Sequence, residues 1–451
     1  MLDPRGKLSG LEWSLLAALA ALIIAFSVVT VIRSAYGQRR MTDAGVYFRA
    51  GWAIRAGVDP YSVKDDNDWT FLYPPPVAIM LAPLADPPAG EPRPFMFSYG
   101  TSVILWLILS WVCMGVAAHW LAKAYELTAP DPSQRSWSPF TRRWVQNRLY
   151  PFLLCLIPVG AAISRGQINF ILIMLLAGMI LSVARGKRFS AGMWLAAAAC
   201  LKVFPGFLIL YPLFRRDLRQ LSGFAVGCFL LMIVVPVVTV GPTKAYDLNY
   251  RFFDTMVRAQ LAKGEDQAKQ VELAGAIDNQ SIMAVSYNTR NLDAIRKVAM
   301  IKPDATDKAI HLVAAVLLTL ITLGAVIKAE RGRQDRVRSG IMLIGLLTCV
   351  MIAISPVAHM HYFMMAMPLI AAMWLPAKER GGPTLQGWVA AVLYVAANVI
   401  PHIQPVFRDL MFLGLAQWTN LVLWGVGIWV LARTKPDSPA IIAKPSSPVT
   451  T

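Results

Sequence analysis

The chain has 451 residues, of which 56% are hydrophobic and only 15% charged, and its mean hydropathy is +0.51. A soluble protein of this size carries nearer 25% charged residues. Here the apolar residues come in runs of about 20, long enough to cross roughly 30 Å of hydrocarbon as helix. That excludes a soluble enzyme, and the absence of period-2 alternation argues against a β-barrel.

The net charge of +17 does not point to nucleic acid. Many of the basic residues sit in short loops between apolar runs, where they set membrane topology and can attract anionic lipid headgroups. The expected partners at this level are membrane lipids. The five cysteines, Cys113, Cys155, Cys200, Cys228 and Cys349, all fall in apolar segments without metal-ligand spacing and read as small buried hydrophobes.

In chain order, the first run covers about 11–32 and follows Arg5 and Lys7. It is longer than the apolar core of a signal peptide and no small-x-small cleavage site follows, so a retained helix is expected. Further spans are expected at about 101–122, 149–163, 168–184, 190–203, 205–214, 221–240, 311–328, 339–355, 360–376, 386–404 and 411–432. The runs 190–203 and 205–214 are short and are separated by Pro205-Gly206. Both are flanked by basic clusters, RGKR at 185–188 and RRDLR at 215–219, which requires an even number of crossings between them. They are therefore expected to form a broken pair or re-entrant hairpin.

Placing these clusters inside, together with Arg142, Arg143, Arg148, the 328–338 stretch and Lys378 and Arg380, predicts about twelve crossings with both termini cytoplasmic. The opposite face then carries 33–100, the turn at 164–167, the long loop 241–310, the turn at 355–362 and 402–410. Residues 1–435 read as one transmembrane domain. The tail 436–451, rich in Pro, Ser and Thr, reads as disordered and cytoplasmic.

The outer face holds the chemistry. MTDAGVYFRAGWAIRAGVDPYSV, residues 41–63, places Asp43 just beyond the first span. Val46, Ala50, Ala53 and Ile54 recur at three- and four-residue spacing, which predicts an amphipathic helix at the interface, capped by Thr42 with Asp43 in its first turn. On local grounds Asp43 could do no more than complement the helix dipole. Tyr47, Trp52, Tyr61, Phe71 and Tyr73 follow, suited to stacking on sugars or, more commonly, to interfacial anchoring. SRGQINF, residues 164–170, sets Arg165, Gln167 and Asn169 between two spans, where a plain polar turn would also serve.

Lys202, deep in AAACLKVFPGF, would cost a few kcal/mol unless it faced a polar cavity or a partner. DNQSIMAVSYNTR, residues 278–290, adds Asn279, Gln280 and Arg290. SPVAHMHYF, residues 355–363, adds His359 and His361; at i and i+2 of a helix these would not share a face, which argues against a two-histidine metal site. No Walker loop, HExxH or Ser-His-Asp set is present, so neither a metal nor a cofactor is expected.

TDAGVYFRAGWAIRAGVDPYS, FLYPPPVAIMLAPL, GQINFILIMLLAG, the Lys202 stretch, NQSIMAV and SPVAHMHYF follow one another in an order that resembles glycosyltransferase family 87, of the glycosyltransferase C superfamily. The late motif departs from the family's pattern in that Met360 separates the two histidines, and both remain candidates. The resemblance implies an all-α polytopic bundle of glycosyltransferase C type with interfacial helices in the first outer loop. It implies transfer from a polyprenyl-phosphate sugar to a glycolipid or glycan acceptor, on the periplasmic side of a bacterial cytoplasmic membrane, with Asp43 as catalytic base. By similarity to polyprenyl-phosphate-mannose-dependent α-mannosyltransferases of phosphatidylinositol mannoside synthesis the sugar is expected to be mannose. Arabinose, glucose or galactose would use the same chemistry. Lys202, Arg165, Arg290, His359 and His361 are then candidates for the donor phosphate, and Gln167, Asn169, Asn279 and Gln280 for polar contacts to the donor. A lipid or sugar transporter or flippase is the competing class, disfavoured because the spans hold almost no acids and only one broken pair.

Overall fold

The computed structural model describes residues 6–37, 41–129, 133, 135–254, 276, 278–292, 301–331, 336–379, 385–403 and 408–433. Among these residues it is all α, with no strand beyond two isolated bridges. The tail expected to be disordered and parts of the loop 241–310 lie outside the described residues.

Among the described residues, six helices are long and apolar enough to cross a membrane: α1 (Gly10–Ala35), α4 (Tyr99–Leu127), the continuous stretch Leu218–Val240, α14 (Ala305–Glu330), α15 (Arg336–Ala353) and α19 (Leu415–Arg433). The outer sides of α1, α14 and the stretch Leu218–Val240 are lined with exposed Leu, Ile and Val, as lipid contact requires. A seventh candidate is a bent pair, α5 (Arg142–Leu154) and α6 (Leu156–Arg165), which meet at 65°. The sequence reading took this region as one span at 149–163. Pro158 corrects it: the residue cannot donate to the Leu154 carbonyl four positions back, so the helix breaks at Cys155.

Shorter apolar helices complete the bundle. The central one is α7 (Asn169–Ala184), buried over nearly its whole length against α4, α8 (Arg188–Leu201) and α15. Sixteen residues of helix rise only about 24 Å, less than the hydrocarbon thickness. Surrounded by protein, α7 does not have to meet lipid at either end. The expected break in 190–214 falls at Lys202, whose backbone is extended (φ −153°, ψ 128°) between α8 and the 3-10 turn Phe204–Ile209. A short helix, α9 (Leu210–Phe214), follows.

The first outer loop is itself a folded layer. It contains α2 (Thr42–Ala56) and α3 (Pro75–Leu81). α2 is buried on most of its surface. Gly45 and Gly51 explain how: a Cβ at 45 would stand 2.9 Å from Asp65 Oδ2, and one at 51 would stand 2.5 Å from the Leu81 carbonyl oxygen. Two neighbouring segments approach the helix where it has no side chain. Buried Arg49 closes the layer, donating to the Asp86 carbonyl (3.0 Å), the Lys64 carbonyl (2.7 Å) and Asp66 Oδ1 (2.6 Å). A later outer helix, α12 (Pro242–Phe253), rests on the same loop through an Arg251–Asp59 ion pair of 2.9 Å.

Candidate active site

Asp43 lies in the first turn of α2, half-buried. Thr42 does not cap the helix as expected. Met41 is the N-cap residue, without a side-chain hydrogen bond, and the Thr42 hydroxyl donates instead to Asp43 Oδ2 at 3.1 Å. The turn at 164–167 seats against this first turn of α2. Gly166, in the left-handed region at φ +69°, allows the contact, since a Cβ there would come within 2.6 Å of Ala44 Cβ. Trp106 Nε1 donates to the Gly166 carbonyl at 2.9 Å and fixes the turn from α4.

Gln167 and Asn169, both buried, thereby enter the neighbourhood of Asp43 from the start of α7. The Tyr47 hydroxyl donates to Tyr73 (2.8 Å), with Gln167 Oε1 3.4 Å away. Burial, each other and then the Asp43 carboxylate raise the Tyr47 phenol well above its ordinary value; burial followed by Asp43 does the same for Tyr73. Both phenols therefore stay neutral and can donate hydrogen bonds.

Lys202 reaches the same neighbourhood from the α8 break. It is buried, and its Nζ donates to Asn169 Oδ1 at 3.2 Å. Its ammonium lies 4.3 Å from the centre of the Tyr362 ring and 5.7 Å from that of Tyr73. Asp43 lies within electrostatic reach of Lys202, Tyr73 and Tyr362. Lys202 forms no ion pair among the described residues.

His359 and His361 close another side. Residue 359 is extended (φ −82°, ψ 167°) and helix begins only after it, so the helical spacing argument fails. The two rings lie nearly parallel with centroids 6.0 Å apart. The His361 carbonyl accepts from Asn169 Nδ2 at 3.0 Å, linking this turn to the Lys202 partner. Arg165 stands at the edge with its guanidinium 3.9 Å from Asp278.

Three other candidates have different roles. Arg290 is paired with Asp307 (2.6 Å) and Asp304 (3.0 Å), fastening α13 (Ile282–Arg290) to the start of α14. Asn279 holds the 356–358 backbone, donating to the Pro356 carbonyl (2.8 Å) and accepting from the Ala358 N–H (2.9 Å). Gln280 Oε1 accepts from the Ala416 N–H at 3.0 Å. These two amides are buried supports of the histidine turn rather than open hydroxyl ligands.

The aromatics also divide differently. Tyr47 and Phe71 are fully buried, and Trp52, Tyr61 and Tyr73 partly so. Among the described residues flanking this loop, Phe95, 99% exposed and four residues before α4, and Tyr36, 78% exposed, are free to anchor at a membrane surface. Sequence reasoning singled out neither Tyr362 nor Asp278; both stood inside quoted motifs, and only their contacts mark them. No group of three or more His, Cys, Asp or Glu among the described residues could hold a metal ion.

Fold and site together define a polytopic helical membrane protein whose polar site residues gather between the layer that follows its first span and the ends of its inner helices. Residues 71–356 match the profile of glycosyltransferase family 87, more than half of the chain, and the protein belongs to that family: it is a membrane glycosyltransferase. No curated protein matches the chain. Among solved structures it is similar to ArnT from Cupriavidus metallidurans bound to undecaprenyl phosphate, at 12% identity and a TM-score of 0.43, covering 92% of this chain and 76% of that one.

Proposed function

We propose that the chain transfers a sugar, mannose, from a polyprenyl-phosphate donor to a glycolipid or glycan acceptor at the outer face of the cytoplasmic membrane, with inversion at the anomeric carbon. The observation that carries this reading is a buried Lys202, seated against the Tyr73 and Tyr362 rings, within electrostatic reach of Asp43. The acceptor hydroxyl oxygen attacks the anomeric carbon as Asp43 takes its proton. The bond from that carbon to the phosphate oxygen breaks, and its electron pair leaves with the polyprenyl phosphate. The charge that grows on the phosphate is met by buried Lys202, with Arg165 and His359 at the edge. A phosphate is already a good leaving group, so one carboxylate suffices. Direct displacement turns a β-linked donor into an α-linked product.

The test uses purified protein in nanodiscs, offered a panel of polyprenyl-phosphate sugars with a pool of membrane lipids as acceptor, and reads products by mass spectrometry. A gain of one hexose on a lipid, absent with Asp43→Asn, supports the reading and names the donor. Transfer of a pentose would correct the sugar. No transfer from any donor, with lipid crossing vesicle membranes instead, would replace the reading by a flippase.

A further inference from the structure

His359 stands at the edge of the phosphate site, and what holds its ring there bears on how it meets the donor. His359 is 6% exposed, and both its ring nitrogens are buried with no hydrogen-bond partner. A buried imidazole nitrogen facing no acceptor is costly and calls for a reason. One of the two supplies the context: Nδ1 lies 3.4 Å from Asp278 Oδ1. Asp278 is not a chance neighbour. The residue after it, Asn279, holds the Pro356 and Ala358 backbone, and the Gln280 N–H donates to the Ala358 carbonyl at 2.9 Å. Segments 278–280 and 356–359 are thus pinned together, and the carboxylate is fixed against the ring.

We propose that Asp278 is a positioning residue: it orients the His359 ring through Nδ1, so that Nε2 is presented to a phosphate oxygen of the lipid-linked donor. A backbone carbonyl would orient the ring equally well. A carboxylate offers a second oxygen, which here faces Arg165, so that one side chain sets both groups. The geometry agrees on the far side as well. The His359 ring stacks on His361, whose carbonyl is tied through Asn169 to Lys202, so the ring belongs to the same network as the buried lysine. Asp278 Oδ2 is also 3.9 Å from Arg165 Nη2, which places a second cation at the same edge. This inference rests on the polyprenyl-phosphate reading of the site.

The experiment titrates nanodisc-embedded protein with undecaprenyl phosphate and measures binding for wild type, Asp278→Asn, His359→Gln and the double variant. If Asp278 acts through His359, each single variant weakens binding about tenfold and the double variant is no weaker than either, because the two effects are not additive. Asp278→Glu restores part of the loss, which a merely structural role would not predict. Asp278→Ser is run beside Asp278→Asn, so that one misfolded variant does not decide the result. Unchanged binding in both, tighter binding through a released Arg165, or fully additive losses would overturn the inference while the donor reading stands. Wild-type protein that binds no undecaprenyl phosphate would overturn both.

Discussion

Lys202 and Asn169 are joined by a 3.2 Å hydrogen bond from ammonium to amide oxygen, and the same amide donates at 3.0 Å to the His361 carbonyl. One buried side chain thus sets both the cation and the histidine turn. An ammonium has three protons to donate, and a buried charge without an ion-pair partner lowers stability. A fold keeps such a residue for what it binds.

Lys202→Met tests that statement. Met fills nearly the same volume without the charge, so the variant is expected to unfold at the same temperature as wild type or higher. Transfer is expected to fall at least a hundredfold as the donor phosphate loses its buried cation. Thermal unfolding and initial transfer rates on one preparation decide it. A variant that loses stability and activity together would make Lys202 a structural residue.

Asp43→Asn separates chemistry from binding. The amide keeps the shape and can still accept from Thr42, but it cannot take the acceptor's proton. Transfer is expected to fall by about 10²- to 10⁴-fold, the usual range for a lost general base, with undecaprenyl phosphate affinity within about threefold of wild type. Equal losses in both quantities would place Asp43 in the binding surface only.

How far these roles could be read from sequence differs from residue to residue. Asp43 and Lys202 were legible because a charge beside or within an apolar run is expensive and asks for a reason. The burial of α2 was not, since Val46, Ala50 and Ala53 at three- and four-residue spacing suit a membrane surface and a protein core equally. Gly45 and Gly51 carried the missing signal, and it is readable only once their neighbours are known. Arg290 looked free because its partners Asp304 and Asp307 are brought to it by the fold. His359 and His361 were judged by helical spacing in a segment that turns out to be extended at its start, where residues two apart point the same way. The break at Cys155 was readable in Pro158 and was passed over because the apolar run continues through it.

Gly166 offers a test of how the site is assembled. It shares φ +69° with Gly186, but a Cβ at 186 meets nothing within 4 Å whereas one at 166 meets Ala44 Cβ at 2.6 Å and Met41 Sδ at 2.9 Å. Gly186→Ala should therefore cost about 1 kcal/mol, the backbone term alone. Gly166→Ala should cost about 2–4 kcal/mol and push the 164–167 turn off the first turn of α2. Transfer should drop tenfold or more in the second variant and stay near wild type in the first. Comparable losses in both would show that the contact with Ala44 has no part in placing Asp43.

Asp278 makes the outer turn sensitive to acid. Burial acts to raise its carboxyl, but the contact and charge of His359, with Arg165 behind, overcome that and hold it below the usual carboxylate range. A carboxyl lowered by folding contributes stability that is complete above its unfolded value, about 3.9, and is lost as pH falls through the lower folded value. The contact between 278–280 and 356–359 should therefore be intact at neutral pH and weaken below about pH 4. Hydrogen exchange of the Ala358 amide, which donates to Asn279 Oδ1 inside this contact, follows it directly. Protection should fall with acid in wild type more steeply than in Asp278→Asn, which has no carboxyl to protonate there. Identical acid profiles would mean that Asn279 alone holds the turn and that Asp278 adds nothing to its stability.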